Sequence, residues 1–239
     1  MMKKALRYAS PLVLAGAMVC GQAYAADMAA PAASQNQMAH ASADRDAAAD
    51  AVDTLTDAGK VLAKMQADPN MQGFLSRAHG LFIVPHYARG GLVAGGSGGE
   101  GVMVMRGTKG WSNPLFYNVG GISVGAQAGF EAGAVAFLLM NDKSTASFAQ
   151  QNNFSLDADA GLTIVDYSAA GQASAGKGDV VVWSDTKGAF AGAMVGVSDI
   201  NWDDDENAAY YGSKVTAAAV IKGEVRSAAN NPLATQLTR

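Results

Sequence analysis

The chain has 239 residues, of which 49% are apolar and 16% charged, a balance that excludes intrinsic disorder. Its 28 glycines and six prolines follow no triplet period, which excludes a collagen-like chain. Cys20 is the only cysteine, so the rest of the chain has no thiol for a disulfide, a thiolate metal site or a cysteine nucleophile.

Residues 1–7 carry Lys3, Lys4 and Arg7 without an acid, residues 11–20 are almost wholly apolar, and Ala23-Tyr24-Ala25 places small residues before a break. This pattern predicts a secretory signal peptide over residues 1–25 and an exported protein, periplasmic or associated with the outer membrane. The apolar stretch is too short to span a bilayer. Lipoprotein processing at Cys20 is the weaker alternative, because Val19 is β-branched where that cleavage prefers a small residue. Without the signal, 14 Lys and Arg stand against 21 Asp and Glu, a net charge of −7. No overall nucleic-acid footprint exists at that charge. The charge is uneven: residues 60–109 carry a net +4 and residues 131–206 a net −9, which implies a basic end and an acidic end.

Residues 26–45, rich in Ala, Ser and Gln, read as a flexible leader. From Asp46, Ala49, Val52, Leu55, Thr56, Gly59, Leu62 and Met65 recur at three and four, with acids early and Lys60 and Lys64 late, predicting an amphipathic helix of about twenty residues. Asp68-Pro69-Asn70 ends it, and a short helix over residues 71–78 follows. Residues 81–84, stopped by Pro85, and residues 102–105 read as strands. Over residues 122–133 apolar and small or polar side chains alternate strictly, a strand signature that outweighs a membrane-helix reading of glycines four apart. Further strands are expected over residues 162–167, 179–183 and 189–197, then a helix over residues 207–221. The expected fold is α+β, an antiparallel glycine-rich β-sheet or partial barrel flanked by an N-terminal amphipathic helix and a C-terminal helix. Residues 46–227 form the expected domain and residues 228–239 a tail.

Several motifs imitate chemistry. Residues 95–101 (GGSGGEG) match both the dinucleotide fingerprint and, through Ser97, the nucleophile elbow. Both need a helix next, and a strand follows. Residues 171–177 match a phosphate loop up to Lys177, but Gly178 stands where a hydroxyl should hold magnesium. Asn201, Asp203 and Asp205 have calcium-loop spacing, but Glu206 replaces the turn glycine and Gly212 the bidentate acid, so a solvated acidic loop is the better reading. No enzyme, nucleotide, cofactor or metal site is expected.

Five strings in order, RAHGLFIVP (residues 77–85), GGEGV (98–102), WSNP (111–114), GAFAG (188–192) and NAAYYG (207–212), resemble the SYLF domain over roughly residues 50–225. That resemblance implies binding to anionic phospholipids or a membrane surface through an N-terminal amphipathic helix and nearby basic residues. The matching positions are Lys60, Lys64 and Arg77, with His79 where the family usually has Lys or Arg. Some eukaryotic members bind actin, an inference the export-type signal does not invite. Trp111, Pro114 and Tyr210 also read as fold-defining core and turn residues. The alternative to lipid binding is a structural or protein-partner-binding module without lipid specificity.

Overall fold

The computed structural model describes residues 30–91, 94–124, 129–151, 153–156, 162–167, 178–185, 199–227 and 231–238. The expected signal peptide, the strand over residues 189–197 and the phosphate-loop look-alike lie outside these. The chain forms two compact units, residues 1–42 and residues 43–239. The first is described from Ala30 onward, where it is helical.

Helix α1 (Ala30–Gln66) begins well before Asp46, inside the stretch whose composition suggested a leader. Alanine is the strongest helix former, and Pro31 sits in the first turn, where its missing N–H costs nothing. The buried stripe is Ala51, Thr54, Leu55, Ala58, Val61, Leu62 and Met65, rotated from the expected one so that Ala51 and Ala58 face the core and Val52 is exposed. Asp68 caps α2 (Pro69–Leu75), accepting from the Asn70 amide.

The sheet contains β1 (Gly80–Gly91), β2 (Ala94–Gly107), the short β3 (Gly110–Trp111), β4 (Leu115–Val124), β5 (Gly129–Leu139), β6 (Ile164–Asp166), β7 (Val180–Ser184) and β8 (Ile200–Trp202). Its order is β6-β7-β5-β1-β2-β4-β8, with β3 on the end of β2. The expected α+β fold is therefore present, as an open sheet; all pairs are antiparallel except β6 with β7. The alternating segment over residues 122–133 is divided between β4 and β5, which pair with β2 and β1 and not with each other. Pro85 does not end β1. It sits at a bulge where the register shifts against both neighbours, the place where a central strand tolerates a residue without an N–H. Glycines permit the tight packing: a Cβ on Gly101 would lie 2.5 Å from the Phe82 ring.

Both faces of the sheet are covered, which explains the continuous apolar runs of β1, β2 and β5. One face packs Leu81, Ile83, Val102, Val104, Phe116, Ala136 and Leu138 beneath α1 and α2. The other packs Phe82, Met103, Tyr117, Phe137, Val180 and Val182 against α3 (Asp142–Ala146), a 3₁₀ turn (Ser147–Gln150) and α5 (Ala217–Ile221). The expected helix over residues 207–221 is two helices, α4 (Asp204–Tyr211) and α5, because Gly212 takes a left-handed φ of 71° and stops the first. Residues set apart as a tail form α6 (Pro232–Leu237), whose Leu233 is fully buried with the α1 face.

Candidate functional site

Two of the strings that carry the resemblance, WSNP and NAAYYG, meet at a seam between β4 and α4, whereas GAFAG lies outside the described residues. Asp203 caps α4 by accepting from the Glu206 amide at 2.7 Å, so the calcium-loop spacing is a helix start. Asn207, 1% exposed, accepts from the Phe116 amide (3.1 Å) and donates to the carbonyls of Phe116 (2.8 Å) and Asp203 (2.6 Å). The Tyr211 hydroxyl donates to the Pro114 carbonyl at 2.6 Å, and Tyr210 packs on Phe116 with ring centroids 5.0 Å apart. Ser112 pairs with the Met105 backbone, and Trp111 lies under the Arg106 guanidinium at 4.6 Å. Trp111, Pro114 and Tyr210 therefore hold the fold together. Burial pushes the Tyr211 hydroxyl far above its ordinary pKa, leaving it a donor.

The four residues implied by the resemblance are each engaged internally. Lys60, 70% exposed, pairs with Asp57 at 2.6 Å, and Lys64, 60% exposed, reaches Asp185 at 3.0 Å. Arg77 donates to the Gly73 carbonyl at 2.8 Å and lies over the Phe74 ring. His79 is bonded to Asp142 at 2.7 Å, in front of α3. Lys60 and Lys64 share the exposed side of α1 one turn apart, whereas Arg77 and His79 answer to other elements. Each of the four has a separate partner, and three of the partners are carboxylates.

A second constellation was not expected. Where β1 bulges, a cleft of about 370 Å³ opens, lined by Thr54 of α1, Pro85 and His86 of β1, Gly99 and Glu100 of β2, and Asn118 and Val119 of β4. The bulge turns His86 outward to Asp57, 2.7 Å away. Hydrogen bonds from Lys60 and His86 hold the Asp57 carboxyl below the usual range. Thr54 donates to Glu100 at 3.4 Å, and Asn118 donates to Asp203 at 2.5 Å. Glu206 is only 6% exposed, and neither of its carboxyl oxygens has a hydrogen-bond partner. Burial, then the charges of Glu100 and Asp203 and, more weakly, Asp50, push its pKa up to about 8, against a small opposing pull from the Thr54 hydroxyl. The acidic run that reads as a solvated loop thus hides one buried carboxyl. Its only sequence signal is position: it is the third residue of a capped helix, and the residue after it is Asn207 of the NAAYYG string.

An open sheet covered on both faces, with a capped α4 locked on β4, is an α+β domain; among the described residues no helix is long and apolar enough to cross a membrane. The family model described as "Ysc84: Las17-binding protein actin regulator" matches residues 120–239, and the chain belongs to this family, the SYLF family that its motifs resemble. Among curated proteins it is similar to LAS seventeen-binding protein 3 of Saccharomyces cerevisiae, 31% identical over 158 residues, covering 64% of this chain and 34% of the relative. Protein YSC84 of the same yeast is 30% identical over the same shares. An SH3 domain-containing protein of Schizosaccharomyces pombe is 32% identical over 166 residues, 66% of this chain and 38% of the relative. The chain spans about a third of the length of the curated relatives it matches. No solved structure matches it significantly. These relatives correct the expected address: yeast proteins and a family described as actin regulators are at odds with a bacterial periplasm or outer membrane.

Proposed function

We propose that the chain is a non-catalytic module that binds a protein partner, of the kind named for its relatives: Las17, or actin through the regulation the family description names. The observation that carries this reading is the family match itself, since two relatives are named for binding LAS seventeen. The pairing of the expected lipid-facing cations supports it. An anionic head group would have to displace Asp57, Asp185 or Asp142 from them. The wider relatives include a protein named for an SH3 domain, so a partner of the whole relative is tested on this domain by itself. The measurement is co-sedimentation of the purified chain with actin filaments and a pull-down by purified Las17, with anionic phospholipid vesicles in parallel. Binding to either protein is expected. Binding to vesicles with no binding to either protein would sink the proposal.

Reversible association with anionic phospholipids remains the second reading on one observation, the exposure of Lys60 and Lys64 on one side of α1. Each basic side chain near an anionic surface contributes about 1 kcal/mol at best, and a prior carboxylate partner subtracts from that.

A further inference from the structure

Helix α6 is held on α1 by few contacts. Leu233 is its fully buried side chain, Leu237 lies partly buried one turn on, and Gly59 of α1 lets the helix come close: a Cβ there would stand 3.4 Å from the Gln236 amide nitrogen and 3.6 Å from Pro232. Against these, two polar atoms of the seat are buried without a hydrogen-bond partner among the described residues. They are Nδ2 of Asn231, whose oxygen caps α6, and Oε1 of Gln236. Seating each of them costs free energy, and six residues are too few to stay helical without packing. The seat is also larger than its occupant. Past Gln236 and Leu237 it continues as a cavity of about 880 Å³ beside the end of α1, walled by Gln66, by Gln72 and Ser76 of the α2 segment, and by Arg106 of β2. Arg106 donates to the Leu75 and Ala78 carbonyls and is the charged residue of that lining.

We propose that α6 is a stand-in held in cis: when released, it uncovers a groove on α1 that takes an amphipathic helix of the protein partner. The inference rests on the partner-binding reading above. α6 itself is the template, with a proline in its first turn and leucines at i and i+4 on one face, the spacing by which helices anchor in grooves. The partner helix is longer than α6, because it also fills the cavity that α6 leaves open. It carries a carboxylate at the end that reaches Arg106, the charge presented there. While α6 is seated, the partner finds only the fraction of molecules in which it is out, and its apparent affinity is lowered by that fraction.

The test compares the full chain with two variants of opposite expected sign. Leu233→Asp removes the buried anchor and should raise binding of Las17 or actin about tenfold. Gly59→Leu fills the seat itself and should lower that binding about as much, although it too dislodges α6. A general loss of structure would not give opposite signs. Gln72→Glu, on an exposed residue of the cavity wall, should weaken partner binding about threefold with α6 in place. A peptide of residues 231–239 is the probe that needs no partner. It should bind the Leu233→Asp chain saturably, shifting the amides of Gly59, Gln66 and Gln72, and should fail to bind the Gly59→Leu chain. In the unaltered chain, the amides of residues 235–237 should exchange with deuterium about a hundredfold faster than that of Leu62. Exchange of α6 only with global unfolding, or no saturable binding of the peptide, overturns the inference. So does a chain that forms dimers and loses them with Leu233→Asp, since the occupant would then be a second copy. The two readings fail separately. If Las17 or actin binds the Leu233→Asp and Gly59→Leu chains as it binds the parent, the groove is not the seat and the partner reading survives. If the peptide behaves as described and neither protein binds any of the chains, the groove and its cis occupant stand and the proposed partners fall.

Discussion

Residues 206 and 207 are neighbours on one helix, both nearly or wholly out of water, and they meet opposite fates. Asn207 uses its side-chain oxygen and amide nitrogen on backbone groups of β4 and the Asp203 carbonyl. The Glu206 carboxyl is acted on by Thr54 and Asp50 of α1 and Glu100 of β2, and neither of its buried oxygens has a hydrogen-bond partner. A buried polar group that is satisfied locks two elements in register. One left open costs stability and persists where something outside the fold repays it. The first half of the seam is structural, then, and the second carries a buried group that the fold leaves unsatisfied.

The largest effect expected from breaking this contrast is on the satisfied side. Asn207→Leu strands the Phe116 amide and carbonyl inside the sheet and should cost about 3 to 4 kcal/mol, from two or three lost hydrogen bonds and unpaired buried groups. Urea denaturation reads it directly, and a loss below about 1 kcal/mol would show that the seam is not a lock.

On the open side the sign reverses and depends on pH. The Glu206 pKa is raised from 4.5 to about 8 by burial and by Glu100, Asp203 and Asp50. The folded state therefore holds a proton that the unfolded state releases. Its stabilising contribution is present below about pH 4.5 and is lost as pH climbs toward 8. Glu206→Gln removes the titration. The variant should match the parent near pH 5 and exceed it by about 2 to 4 kcal/mol at pH 8. Melting curves at the two values decide it: a gain that does not grow with pH would mean that Glu206 is not held neutral.

Tyr211→Phe is a milder probe of the lock. It removes one hydrogen bond to the Pro114 carbonyl while keeping the ring packed on Tyr210, and about 1 kcal/mol should be lost. A change indistinguishable from zero would place the holding force in the ring contacts alone.

The two sides of the seam were unequally legible in the sequence. The NAAYYG and WSNP strings were visible as a resemblance, and their bland reading as fold residues matches their hydrogen bonds. The strands of the core were visible because apolar runs bounded by glycine have few other uses. Three features were hidden, each for a physical reason. The bulge at Pro85 reads as a strand end because proline usually ends one. The true stripe of α1 runs through Ala51, Thr54 and Ala58, small or polar residues that carry little periodic signal beside Val52. The burial of Glu206 brings its carboxyl near Thr54 and Asp50 of α1 and Glu100 of β2, residues far apart in the chain that no local pattern brings together. The four basic positions were legible as charges, but the carboxylate partners of Lys64 and His79 lie 121 and 63 residues away in the chain.

That last point yields the smallest expected effect. Asp57, Asp185 and Asp142 neutralise the basic end locally. Exposed ion pairs of this kind contribute little to stability, since two mobile, hydrated side chains gain almost as much from water as from each other. Lys60→Gln with Lys64→Gln should therefore leave the melting midpoint where it was. It should also leave binding of Las17 or actin unchanged, because neither lysine lines the groove beside α6. Any vesicle binding the parent shows at low salt should fall in the double variant and in the parent at raised salt alike, since both act on the same screened attraction. Loss of protein binding with vesicle binding intact would make the outer side of α1 the partner surface and the groove beside α6 a mere defect of packing.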